Sequence, residues 1–341
     1  MRVFFPARFV NRHVGGNTVY TRTIRDGIEA HGIETSLIPA HSSQILTAAS
    51  ETLFGMRRRK HDVLHYSGDT GTLVRPRTPT VLTIHGVASR WISVARNTRQ
   101  EAVWRARVKA SAKYADRIIT VSRSSAADIA DVFKIRPSSI EVIHHGVDVT
   151  EYQKRCSLSP TLQRYDTTPF ALFIGNLEPR KNVIELIKAF GTPELRQAGV
   201  ELVIVGRPAW NYGEILACIE RSPWVRYLGF INQTDKVALL QRCSIFVFPS
   251  LYEGFGFPVL EALAAGAPVA TSRRGSLDEI AGPALQLRGL DADAISNSVG
   301  DFLADSAALE ECKRRGPEWA KRFSWASSIE AHIRVYREVS L

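Results

Sequence analysis

The segment Ser250-Leu-Tyr-Glu-Gly-Phe-Gly-Phe-Pro-Val-Leu-Glu261 gathers the residue types from which a binding or catalytic site is built. Glu253 is expected in a loop after the apolar run Ile245–Phe248. Glu261 is expected one turn inside a helix that starts near Pro258, a residue suited to the first helical positions. Gly254 and Gly256 lack a Cβ and so admit close approach of a ligand to the backbone. N–H groups at the following helix start point toward an anion. A buried carboxylate needs donors, and sugar or ribose hydroxyls are suitable ones. A surface loop acid at Glu253 and an ordinary helix glutamate at Glu261 are the plain alternatives.

A second segment, Gly175-Asn-Leu-Glu-Pro-Arg-Lys-Asn182, lies between an expected strand and helix and carries the adjacent cations Arg180 and Lys181. Cations at a helix N-terminus oppose the macrodipole, so they sit better with an anion such as a diphosphate between them and the helix. A solvated basic turn is the alternative. Gly15-Gly16 falls between the first strand and a helix, where a loop can cover a phosphate or sugar, although it is not GxGxxG. His85 ends the run Val81–Ile84 and is a candidate donor or base, or a structural histidine. His144 and His145 point to opposite sides if extended, which speaks against a shared metal. Asp291-Ala-Asp293 spells DxD but reads better as a helix-start acid cluster. With GxSxG and HExxH both missing from the sequence, no serine-type nucleophile and no dedicated metal site are expected.

These residues need a scaffold, and the pattern around them is α/β. Strands are expected at 2–6, 63–66, 81–84, 117–121 and 140–143, with helices near 18–31, 98–114 and 124–132. The pattern lapses over 150–168 and then resumes. Strands follow at 170–174, 201–205, 225–228, 245–248 and 269–271, with helices at 182–190, at 212–220, from an N-cap at Thr234, and from Pro258. Short β-branched runs alternating with helices imply mostly parallel sheets covered on both faces. Two Rossmann-like domains are expected, 1–165 and 166–318, facing a cleft that takes ligands at the strands' carboxyl ends. The closing stretch 319–341 ends in a helix whose Trp325, Ile329, Ile333 and Tyr336 share a buried face.

At 45% hydrophobic and 23% charged, the 341-residue chain is neither disordered nor fibrous. Its net charge of +10 is uneven, with +12 on residues 1–165 and −2 on 166–341. The first half therefore suits an anionic partner or surface, or simply carries a solvated basic face. The run Arg57-Arg-Arg-Lys60 raises an anionic membrane surface as a candidate contact. Nucleic acid is disfavoured, because there is no zinc finger and no RNP-type aromatic strand. Cys156, Cys218, Cys243 and Cys312 form no CxxC or zinc pattern, so free thiols in a reducing compartment are expected. Pro6 and Arg8 interrupt the opening apolar stretch before a secretory signal could form. No apolar run approaches the roughly 20 residues of a membrane span.

Taken together, YEGFGFPVLEALAAGAPV, FIGNLEPRKN, ITVS (119–122), HHGVD (144–148), VIVG (203–206), VRYLGF (225–230) and FSWASSIEAHIRVYREV resemble the retaining glycosyltransferases of group 1, or family 4, with the GT-B fold. The family's pair of glutamates separated by seven residues corresponds to Glu253 and Glu261, and its phosphate-binding pair to Arg180 and Lys181. The resemblance implies an NDP-sugar co-substrate in the second domain, no dedicated metal, and transfer of a hexosyl group, mannosyl favoured. The acceptor would be a glycan, a lipid-linked molecule or a small molecule. Glu261 would hold the ribose, Glu253 the donor sugar, the backbone of Phe255-Gly256 sugar or phosphate, and Arg180 and Lys181 the diphosphate. Gly15-Gly16 would approach the donor phosphate, His85 would lie near the reacting centre, and the last helix would return to the first domain. A cytoplasmic protein, peripheral on the inner face of the membrane if attached at all, is implied. Two departures stand out. Asn176 replaces the arginine many relatives carry after the loop glycine, and Gly86 replaces an aspartate after the histidine. Front-face attack and a covalent glycosyl intermediate are both open routes to retention, and Glu253 is assigned to donor orientation. A nucleotide-sugar-binding protein without transfer activity is the alternative of a different class.

Overall fold

A computed structural model describes residues 1–11, 15–92 and 97–341. The chain forms two compact units, 1–146 with 323–341, and 147–322. In the first unit the order is β1 (Arg2–Pro6), α1 (Ala7–Val10), α2 (Gly16–Ala30), β2 (Glu34–Ile38), α3 (Gln44–Met56), β3 (Val63–Tyr66), β4 (Thr80–Ile84), α4 (Thr98–Tyr114), β5 (Arg117–Thr120), α5 (Arg123–Phe133) and β6 (Ile140–Val142). The strands pair in parallel in the order β2-β1-β3-β4-β5-β6.

The second unit runs α6 (Val149–Gln153), β7 (Phe170–Ile174), α7 (Val183–Ala189), α8 (Pro193–Gln197), β8 (Glu201–Val205), α9 (Gly213–Glu220), β9 (Val225–Gly229), α10 (Gln233–Arg242), β10 (Ile245–Phe248), α11 (Phe257–Ala264), β11 (Val269–Thr271), α12 (Leu277–Ile280), β12 (Leu285–Gln286), α13 (Ala292–Ala304) and α14 (Ser306–Ala320). Its parallel sheet is ordered β12-β11-β10-β7-β8-β9, the Rossmann order. The ends of β7 and β8 come so close that a Cβ on Gly206 (φ 151°) would lie 1.8 Å from the Gly175 carbonyl oxygen, which makes glycine obligatory there. The last helix, α15 (Trp325–Ser340), belongs to the first unit.

Alternation along β1 explains the two cores of the first unit. Val3 and Phe5 face α2 and α15, where Tyr20, Ile24, Ile28, Ile329, Ile333 and Tyr336 are buried, whereas Phe4 faces Val108, Ile129 and Phe133 on the other side. Buried polar groups also tie α15 to the sheet. His332 Nδ1 can only donate to the Ser328 carbonyl (2.7 Å), so its Nε2 accepts from the Tyr20 hydroxyl (2.7 Å). Tyr20 then accepts from Thr83 (2.8 Å), Thr83 from His65 Nε2 (2.8 Å), and His65 Nδ1 from Tyr336 (2.7 Å). Every donor in this chain is used once, with both imidazoles neutral.

The structure revises several sequence expectations. The α10 cap is Asn232, whose side chain accepts from the Asp235 N–H, and Thr234 is already helical. Strand β2 and helices α3 and α14 have no counterpart in the sequence reading. Strand β2 is an edge strand in which only Ile38 of its five residues is buried, so it lacks a continuous apolar run. The units divide at Gly146/Val147, ahead of the lapse at 150–168. Here α6 packs against α11, and Ser159 donates from its N–H to Asp235 (2.8 Å), which places this stretch with the second unit.

Candidate functional site

In the second unit, β7 and β10 lie side by side at the point where the strand order reverses, so the loops leaving their carboxyl ends open a crevice. The loop after β7 contains Asn176 and ends in a single 3₁₀ turn, Pro179–Lys181. The loop after β10 carries Ser250, Glu253, Gly254, Phe255 and Gly256 into α11. They are stitched together by the Leu251 N–H donating to the Arg180 carbonyl (2.9 Å) and by Arg180 Nη1 donating to the Tyr252 carbonyl (2.7 Å).

Three charges meet there. Lys181 Nζ lies 2.6 Å from Glu253 Oε1, and Arg180 Nη1 lies 2.7 Å from Glu253 Oε2. Arg180 also pairs with Glu178, and the Ser250 hydroxyl donates to Glu253 Oε1 (2.5 Å). Lys181 Nζ sits 4.7 Å above the Phe248 ring. The Glu253 carbonyl accepts from the Ser276 N–H and hydroxyl, both at 3.0 Å. A Cβ on Gly275 (φ 63°) would fall 2.5 Å from that carbonyl, so only glycine lets the two segments meet.

Burial alone would push the Glu253 carboxyl up. Arg180 and Lys181, with hydrogen bonds from Lys181 and Ser250, reverse that and hold it at about 2. Burial and the neighbouring Arg180 charge pull the Lys181 ammonium below its ordinary value, against the attraction of Glu253. The sequence reading expected an anion between the two cations and the following helix, and sugar or ribose hydroxyls as donors to Glu253. Within the protein, Glu253 itself lies against both cations, and its protein donors are Arg180, Lys181 and Ser250.

Glu261 belongs to a neighbouring cluster. Its Oε1 lies 2.9 Å from Lys236 Nζ on α10, and Lys236 also donates to the Tyr152 hydroxyl (2.9 Å). Gly256 caps α11 in a left-handed conformation, and Pro258 stands within the helix's first two positions. Asp291 caps α13 by accepting from the Ala294 N–H (2.9 Å), with Asp293 in the first turn, so the DxD spelling is a helix start as expected.

The sequence reading quoted the segments containing Glu178 and Ser250 but gave these residues no role. Ser250, three positions ahead of Glu253 in a loop, was the available signal. Lys236 and Tyr152 had none, because only the tertiary fold brings them to Glu261.

In the first unit the strand order reverses between β1 and β3. Gly15 (φ 119°) is the N-cap of α2, and Gly16 its first residue. His85 follows β4. Its Nε2 lies 3.0 Å from the Ser67 carbonyl, and its backbone N–H donates to Asp69 (3.0 Å). A carbonyl only accepts, so the proton of neutral His85 is on Nε2. Burial lowers the ring's affinity for a second proton, against Asp69 and the Ser67 bond. The Tyr20 ring meets it edge-on at 5.1 Å. Of the adjacent histidines, His145 packs near Tyr20 and Trp325 while His144 packs on Phe323, so the two take separate environments as expected.

Two family profiles match the chain, that described as glycosyl transferases group 1 over residues 157–319 and that described as glycosyltransferase family 4 over residues 18–151. The O-antigen chain mannosyltransferase B of Escherichia coli is 34% identical over 64% of this chain and 60% of its own length. The chain thus spans less than two thirds of that relative. The MMP α-(1→4)-mannosyltransferase of Mycolicibacterium hassiacum is 30% identical over 85% of this chain and 73% of its own. Among solved structures, HepE of Anabaena in complex with UDP-glucose superposes with a TM-score of 0.74 at 17% identity, covering 99% of this chain and 100% of that one.

Proposed function

Because the chain belongs to the group 1, family 4 glycosyltransferases and shares their GT-B fold, we propose that it transfers a hexosyl group, mannosyl favoured, from a nucleoside-diphosphate sugar to a hydroxyl of a glycan, lipid-linked or small-molecule acceptor. The observation that carries this reading is the cluster of the half-buried Arg180 with the buried Lys181 and Glu253 at the reversal point of a Rossmann-ordered sheet. Relatives named as mannosyltransferases support the choice of sugar.

In this reading, the bond from the anomeric carbon to the diphosphate oxygen breaks with its electron pair going to the leaving group. The acceptor oxygen bonds to the same face of that carbon, and its proton passes to a phosphate oxygen, so configuration is retained. Arg180 and Lys181 stabilise the diphosphate charge, more in the transition state than in the bound donor, and no dedicated metal takes part. Glu253 orients the donor sugar, Glu261 holds the ribose diol, and the backbone of Phe255-Gly256 meets sugar or phosphate beside Gly254. Within the first unit, the α2 start at Gly15-Gly16 offers N–H groups to an anion, and His85 offers Nδ1 to a hydroxyl.

The test is a thermal-shift and hydrolysis screen over UDP-, GDP- and dTDP-sugars. One series should raise the melting temperature and be hydrolysed slowly. Lys181→Ala should lower turnover by an amount equivalent to about 2–4 kcal/mol, the size of a lost electrostatic donor. Near-normal turnover in that variant, or no binding by the folded protein, overturns the reading. Binding without hydrolysis or transfer to any acceptor identifies a binder instead.

A further inference from the structure

Helix α3 is amphipathic with its apolar side outward. At about 100° per residue, Ile45, Leu46, Ala49, Leu53 and Met56 fall within one arc of about 100°. Ile45 is 81% exposed, Leu53 64%, Leu46 58% and Met56 46%. Thr47, Ala48 and Glu51 occupy the opposite, buried side. Glu51 is the helix's one acidic residue, and it points inward to pair with Arg8 (2.7 Å). The outward arc therefore carries no charge.

Cations flank the C-terminal half of this face. The chain leaves α3 directly into Arg57, Arg58 and Lys60, all exposed, while Arg59 folds back over the Phe54 ring at 4.0 Å. The loop at 73–77 runs alongside, with the Leu73 N–H donating to Thr52 (3.2 Å) and the Arg77 N–H donating to the Gly55 carbonyl (2.9 Å). It adds the exposed Leu73 and Val74 to the apolar area and the exposed Arg75 and Arg77 to the rim.

We propose that α3 and the 73–77 loop form a docking surface for an anionic lipid bilayer. The arc of aliphatic side chains lies in the interfacial region, and the arginines and Lys60 engage lipid phosphates beside it. The face is aliphatic and free of Trp, Tyr and acidic residues, whereas protein interfaces centre on aromatic anchors. The surface is independent of the sugar-transfer reading.

Vesicle sedimentation tests it without reference to enzyme activity. The full chain should partition onto phosphatidylcholine vesicles containing about one third phosphatidylglycerol, should bind pure phosphatidylcholine far more weakly, and should be released by high salt, since surface potential is screened. Ile45→Ser with Leu53→Ser should reduce partitioning at least tenfold. Arg57→Ala with Arg58→Ala should reduce it about 30-fold. Both pairs lie on the surface, so circular dichroism and melting temperature should stay unchanged, and each pair tests the surface separately. Absence of binding to anionic vesicles, or wild-type binding by either variant, overturns the proposal. So does a wild-type dimer that the serine pair converts to monomer, which would make the face a contact between two copies of the chain.

Discussion

Two of the buried polar clusters among the described residues, one in each unit, solve the same problem in opposite ways. Around Glu253 the second unit buries ions, two cations on one carboxylate with Glu178 behind Arg180. Under α15 the first unit buries His65, His332, Tyr20 and Tyr336 without any ion, as a directed series of hydrogen bonds ending on a backbone carbonyl. Ions stay charged in the interior only when opposite charges touch them, and without such partners burial keeps histidines neutral. The second arrangement suits an element being anchored. The first leaves strong fields at a crevice, where they can act on a charged ligand.

The comparison breaks most visibly if the ionic cluster is not mutually dependent. Glu253→Ala strands Lys181 in the interior and removes one of the two carboxylates on Arg180, and should cost about 3–5 kcal/mol of second-unit stability in urea unfolding. A loss under 1 kcal/mol would mean that water or Glu178 takes over. Next comes pH. Burial lowers His332 to about 4 from an ordinary 6.5, so the unfolded chain binds that proton first. The first unit should therefore lose stability as pH falls from about 6.5 to about 4, by about 3 kcal/mol from this residue. Glu253, held at about 2 against an ordinary 4.5, contributes stability above pH 4.5 that is lost only as pH falls toward 2. Hydrogen exchange followed unit by unit should show the first unit softening before this cluster fails, and the reverse order would refute the contrast.

Smaller effects sharpen it. Tyr336→Phe leaves the buried His65 Nδ1 without its donor and should cost about 1–3 kcal/mol while leaving the second unit's exchange unchanged. Asn232→Ala, which removes the α10 cap, should cost about 1 kcal/mol, and the same change at Thr234 much less. Equal losses at the two positions would contradict the observed cap.

Legibility in the sequence followed local physics. Strands β7, β8 and β10 are buried on both faces and read as continuous apolar runs, so their positions agree with expectation residue for residue. Strand β2 is an edge strand with mixed character, and α3 turns an apolar face outward, so neither presented the usual pattern. At the site, Glu253, Glu261, Arg180 and Lys181 stood out by type and spacing. Their partners did not, since nothing local links Glu261 to Lys236 and Tyr152.

The chain's own order of residues determined which side chains end each strand, because alternation of apolar runs and glycine-rich loops is set within a few neighbouring positions. The strand order decided which loops meet. Only the parallel pairing of β7 with β10 brings Lys181, and with it Arg180, against Glu253, a separation of 72 residues from Lys181. Charge state was also decided there, because burial alone would push this carboxyl above its ordinary value, and it is Arg180 and Lys181 that hold it ionised.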